Sequence, residues 1–211
     1  MTQFYDFKIE KIKGLTLEEK NLRKKNLDLF YQNGFPNKKI EDWKFTDLNS
    51  ILSNSFNNIV NKDFPSDDKK LKLIKEFEHN FIFLLDGKLN SNNFDYEDKN
   101  KIFIKNYNYK NDINIGKNNP LTLLNNALAT GGFSLEISKN YELKKPLVIY
   151  NYFSKNLKES IINNKNSIIL NEDSHLTLIN YIDNSSRDNF MMNTMDKVKI
   201  KKNAVLKNIF I

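Results

Sequence analysis

The sequence predicts an α+β fold, with a mainly helical stretch over residues 1–80 and a core of short stacked strands over residues 81–211. Three observations predict it. Two helices carry readable start and stop signals, an apolar strand run sits at Phe81 to Leu85, and three stretches beyond Gly132 repeat one pattern. Apolar residues make up 39% of the 211, enough to bury a sizeable core.

The first helix is read in "LTLEEKNLRKKNLDLFYQNGFP". Thr16 and Glu19 have the spacing of a capping box, and Gly34 followed by Pro36 stops the helix. Leu22, Leu29 and Phe30 fall on one face, with Asn26 interrupting the stripe. "NGFPNKKIEDWKFTDL" follows and holds the single tryptophan, Trp43, between Asp42 and Lys44. Burying an indole is worth roughly 4–6 kcal/mol at ~25 cal/mol/Å². Trp43 is therefore expected to anchor the helical region, with Phe45 beside it and Thr46 or Asp47 capping the next turn. A short helix and an exposed connector around Pro65 and "SDDKK" are expected next.

"NFIFLLDGKL" reads as a buried strand ending in an Asp-Gly turn, and "KIFIKNYNYKND" as a second strand with period-two alternation. In "NNPLTLLNNALATGG", Asn119 suits the cap, Pro120 the first helical position and Gly131 the stop. Leu121, Leu124 and Leu128 line one face of that helix.

The repeat comprises "LEISKNYEL" from Leu135, "IILNEDSHL" from Ile168 and "VKIKKNAVL" from Val198. Asn140, Asp173 and Asn203 occupy the same place in each, where Asn or Asp tolerates a left-handed turn. A spacing of about thirty residues signals stacked units that bury one another's apolar faces. Three unrelated hairpins in a sandwich are the alternative. The third unit reaches Ile211 with its apolar pattern unfinished, so a further coil or a partner is expected to cover that end.

Chemistry is sparse. There is no cysteine, hence no thiolate nucleophile or ligand. The two histidines, His79 and His175, lack companions at metal-ligand spacing. Glu172 and Asp173 stand beside His175, and a solvated turn histidine is expected there. No phosphate loop, dinucleotide fingerprint or paired acid/base is evident, so no catalytic, cofactor-binding or metal residue is assigned, and no enzyme activity is expected. The net charge of +7 is almost wholly lysine, with Arg23 and Arg187 the two arginines. That disfavours base-edge recognition, which uses the guanidinium fork. A basic nucleic-acid-binding module stays open as an alternative, through Lys105, Tyr107, Tyr109 and Lys110 as a stacking face. A carbohydrate-active solenoid ranks last, since carboxylates do not recur in register. With no signal-peptide core and no apolar run of ~18 residues, a soluble cytoplasmic protein is expected.

Gly34-x-Pro36 followed by Glu41-x-Trp43-Lys44-Phe45-Thr46 resembles the N-terminal signature of the SufB/SufD family of iron–sulfur cluster assembly proteins, in its SufD branch. "FIFLLDGKL", "LTLLNNALATGGFSLEISKNYELKKPLVIYNYF" and the later strand segments resemble that family's successive blocks. The resemblance implies a helical region followed by a right-handed parallel β-helix, here an incomplete solenoid. It implies a scaffold that pairs with SufB through the β-helix and with the ATPase SufC through a C-terminal part beyond these residues. The Fe–S cluster belongs to the complete complex. No residue here matches the family's cluster- or iron-associated positions.

Overall fold

The computed structural model describes residues 4–61, 70–109, 119–155, 157–183 and 188–211. The expected connector around Pro65 lies outside the described residues, as do Lys110 and Arg187. The fold is α+β, with three helices and two sheets.

Strand β1 (Phe4–Asp6) precedes helix α1 (Leu17–Asn33). The capping box forms as expected. The Glu19 amide donates to Thr16 Oγ1 at 3.2 Å, and the Thr16 amide to Glu19 Oε2 at 2.7 Å. Gly34 ends the helix at φ +69°, its amide bonded to the Phe30 carbonyl. The buried face differs from the expected apolar stripe. Leu27 and Phe30 are buried together with Glu19, Arg23 and Asn26, while Leu22 and Leu29 are half-buried. Polar side chains can lie inward because partners await them. Asn26 Nδ2 donates to the Leu22 carbonyl, and Arg23 Nη1 to the carbonyls of Ala127 and Ala129 at 2.9 and 3.0 Å.

Helix α2 (Leu48–Ser55) starts at Asp47, whose carboxylate accepts from the Ser50 amide. Strand β2 (Asn58–Asn61) then runs parallel to β1. Strand β3 (Asn80–Leu85) turns through Asp86 (φ +51°) and Gly87 (φ +75°) into β4 (Lys88–Asn93), the hairpin that the Asp-Gly pair predicts. Strand β5 (Ile102–Asn106) is followed by helix α3 (Pro120–Leu128). The Asn119 side chain caps α3 by accepting from the Leu121 and Thr122 amides.

The expected stop at Gly131 is corrected. Helix α3 ends at Leu128, with Ala129 already extended (φ −61°, ψ 132°). Gly131 and Gly132 instead bridge to Asn164 and Lys88. Gly132 sits at φ +117°, and its missing Cβ would lie 2.6 Å from the Lys165 carbonyl carbon. These glycines permit backbones to touch; they do not end a helix.

Behind Gly132 come β6 (Phe133–Ile137), β7 (Leu147–Tyr152), β8 (Ser160–Leu170), β9 (His175–Asp183), β10 (Phe190–Ile200) and β11 (Val205–Phe210). The first sheet has the order β1-β2-β8-β6-β5 with β10 also paired to β8, and the second has β11-β9-β7-β3-β4. Ladders between β6, β8 and β10, and between β3, β7, β9 and β11, are parallel, whereas β3–β4 and β5–β6 are antiparallel. The three repeat stretches stack in register, Leu135 against Ile168 and Ile168 against Val198. At their corners Asn140, Asp173 and Asn203 have φ of +55°, +56° and +56°. The Asn140 amide donates to the Glu172 carbonyl, the Asp173 amide to the Lys202 carbonyl, and Asn203 Nδ2 to Asp173 Oδ1. Stacked turns, not three separate hairpins, account for the shared Asn/Asp position.

One apolar core lies between the sheets, where Ile82, Phe133, Ile149, Leu170 and Leu178 meet. A second joins Phe30, Leu52, Ile59, Leu124 and Ile161 beneath the helices. Helix α3 is held to β8 and β10 by buried amides as well. Asn125 Nδ2 donates to the Asn164 and Asn193 carbonyls, and Asn193 Nδ2 to Asn163 Oδ1.

Candidate assembly interface

Strand β10 pairs with β8 along all eleven of its residues, and β11 with β9 along its six. Neither has a second partner strand among the described residues. One end of the stack therefore presents two adjacent edges whose outward amides and carbonyls are unladdered, a template for a further pair of strands. Apolar side chains gather there: Val198, Ile200, Val205, Ile209, Phe210 and Ile211 are exposed, the last two at 70% and 63%. Among the described residues, the half-buried Ala204 and Leu206 cover the inter-sheet core from this side. Lys199, Lys202 and Lys207 stand exposed among them, giving the edge a basic rim. Lysine at an edge discourages indiscriminate pairing while leaving a charge-matched surface welcome.

The other singled-out residues take different places. His79 is buried just before β3. Its Nδ1 lies 2.9 Å from the Phe77 carbonyl, which can only accept, so Nδ1 donates. Its Nε2 meets the Tyr150 hydroxyl at 2.7 Å, and that hydroxyl also accepts from the Ile74 amide at 2.9 Å. This chain of bonds ties residues 70–79 across the outer face of β7, where Tyr152 also donates to the Lys72 carbonyl. Burial pushes the Tyr150 phenol up. His175 is exposed at its turn, 3.7 Å from Glu142 Oε2. Neither Glu172 nor Asp173 joins it. Among the described residues no three His, Asp or Glu side chains gather as a metal site would need.

The Lys105–Tyr109 stretch does not form a flat stacking face. Tyr107 and Tyr109 contact each other at a ring separation of 4.9 Å, tilted by 58°. The Tyr109 hydroxyl donates to the Gly131 carbonyl, and its ring lies under the Arg23 guanidinium. Trp43 also departs from expectation. It ends a single 3-10 turn (Glu41–Trp43), is only half-buried, and belongs to no core cluster, while Phe45 is 90% exposed. The anchor of this region is Phe35 with Phe30, whose rings meet edge-on at 5.0 Å with Phe7 and Tyr5 nearby. Burial pushes the Tyr5 phenol up to about 12.

Sequence reasoning missed Glu97. It is buried and accepts from Asn80 Nδ2, the Tyr141 hydroxyl and the amides of Lys144 and Lys145. Burial raises its carboxyl, but these four bonds outweigh burial and hold it below the ordinary range. It fastens the 94–101 loop to the corner that leads into β7. A lone Glu in a polar loop carries no sequence signal for this role.

The described residues form helices packed on the first of two largely parallel sheets, with one exposed lysine-bearing strand edge. Residues 2–93 match the family model described as SufBD protein N-terminal region. That stretch is thus similar to the N-terminal region of SufB/SufD proteins. No curated protein matches the sequence. No helix among the described residues is long and apolar enough to cross a membrane.

Proposed function

We propose that this chain is a SufD-like scaffold subunit of a SufBCD-type iron–sulfur cluster assembly complex, acting through protein–protein contacts and without enzymatic activity of its own. The observation that carries the contact reading is the pair of unladdered edges on β10 and β11 with their apolar and lysine side chains. The family match over residues 2–93 supplies the setting. On this reading the stacked strands over 81–211 are the start of a right-handed parallel β-helix, behind an N-terminal helical region over 1–80. The open edge receives a strand-bearing SufB-type partner with acidic side chains opposite the lysines. The SufC-type ATPase engages a part of the subunit outside these residues. The chain holds no cofactor, the Fe–S cluster belongs to the complete complex, and the site of action is the cytoplasm.

Co-expression with SufB and SufC followed by size-exclusion chromatography tests the proposal. Co-elution is expected, weakened by the double charge reversal Lys199→Glu and Lys207→Glu. A protein that elutes alone at every ratio overturns it.

A further inference from the structure

Away from the open edge, a cavity of about 370 Å³ lies between the start of α1, the end of α3 and the first residues of β8. That volume is within the range of small-molecule sites, about 300–1,000 Å³. Its walls divide by chemistry. Leu15, Leu128 and Ile161 make an aliphatic side, the last two buried. Lys11, Lys13, Arg23 and Lys88 bring four cations, against two carboxylates, Glu19 and Asp86.

Both carboxylates are already engaged by backbone donors, Glu19 Oε2 by the Thr16 amide and Asp86 Oδ1 by the Ser154 amide. Lys11 and Lys13, by contrast, form no ion pair with a described residue and are exposed at the mouth. Two donors in the wall, Arg23 Nε and Asn163 Nδ2, are buried without an acceptor. Being buried, they act on the cavity through their field. With four cations against two carboxylates, the lining joins an aliphatic side to a net positive one.

We infer that this cavity binds a small amphipathic organic anion, with its apolar body against Leu15, Leu128 and Ile161 and its carboxylate, sulfonate or phosphate toward Lys11 and Lys13. The site is independent of the scaffold reading, since it lies on the helical side and uses none of the β10–β11 edge. An inorganic anion alone would leave the aliphatic side unfilled, and a neutral ligand would leave the lysines without a partner.

The test uses two fluorescent probes that differ by one sulfonate group, 8-anilinonaphthalene-1-sulfonate and N-phenyl-1-naphthylamine, titrated into the whole chain. The sulfonate is expected to saturate at one probe per chain. Lys11→Glu with Lys13→Glu, two exposed positions, should raise its Kd about tenfold at low salt and leave the neutral probe within about twofold. Thr130→Trp, at an exposed lining position, should block both probes. Thermal melts of each variant establish that it is folded. Sulfonate binding that ignores both the charge reversal and the tryptophan, or no saturable binding at all, overturns the inference.

Discussion

Gly132→Ala concentrates the logic of the fold in one methyl group. Gly132 has φ +117°, a conformation that L side chains rarely adopt, and an alanine there costs about 1–3 kcal/mol in backbone strain. The new Cβ would also fall within contact of the Lys165 carbonyl, 2.6 Å from its carbon and 3.0 Å from the Lys165 nitrogen. Backbone cannot swing aside as a flexible side chain can, and overpacking of this kind adds about 1–3 kcal/mol. Parting the two strands also threatens the bonds from the Lys165 amide to the Gly131 carbonyl (3.0 Å) and from the Tyr107 amide to the Gly132 carbonyl (3.1 Å). Each is worth about 0.5–1.5 kcal/mol. Together these effects amount to about 3–9 kcal/mol, much of a typical domain stability of about 5–15 kcal/mol. Gly34→Ala is the matched control, because Gly34 has φ +69° with nothing within 4 Å of the added Cβ. It should lose about 1–3 kcal/mol, the strain of a glycine-only backbone region (ψ −171°) with no steric clash added. Urea denaturation of both variants, followed by circular dichroism, reads the difference. If Gly132→Ala loses no more than Gly34→Ala, the close approach of residues 131–132 to β8 is not a determinant of the fold.

Glu97→Gln should lower stability at pH 7 by about 1.5–3 kcal/mol, the scale of hydrogen bonds to a charged group. The pH profile carries the sign. A carboxyl held low in the folded state stabilises fully above its unfolded pKa of about 4.3, and that contribution disappears as pH falls through the lower folded value. Urea midpoints from pH 6 down to pH 3 should therefore fall more steeply for the wild type than for the variant. Arg23→Met keeps the aliphatic stem but leaves the Ala127 and Ala129 carbonyls without their donor, and should cost about 2–3 kcal/mol by the same measurement. Trp43→Ala, despite the size of the side chain, should cost no more than about 1 kcal/mol, a shift of about 2–4 °C in Tm by scanning calorimetry. A shift beyond about 8 °C would mean that the indole is packed after all.

Much of the architecture is legible in the residues because it follows from local chemistry. Thr16 with Glu19, Asn119 with Pro120 and Asp86-Gly87 each specify a cap or turn within four residues, and each forms. Asn140, Asp173 and Asn203 revealed the stacking because every layer needs a left-handed corner at the same height. What sequence could not supply were contacts that span long distances along the chain. Arg23 reads as one more surface cation on a lysine-rich helix, and its burial depends on carbonyls over a hundred residues away. Gly131 and Gly132 read as a helix stop because they follow a helix. Their role is set by Gly87 and Lys165, which the pattern does not mention. Trp43 misleads for the opposite reason, since size argues for burial, yet a single 3-10 turn leaves it half outside. The β10–β11 edge was legible in the unfinished apolar pattern of the third unit, while the cavity beneath α1 has no linear signature.

The in-register corners have a consequence for how such a molecule can change over evolutionary time. Inserting one residue into a strand would reverse which side chains point inward, whereas adding a whole unit of about thirty residues preserves every neighbour relation. Height therefore grows in steps of about 4.8 Å, the spacing between adjacent strands. A surface carried by the last layer is raised or lowered by discrete storeys, like a platform on a ratchet.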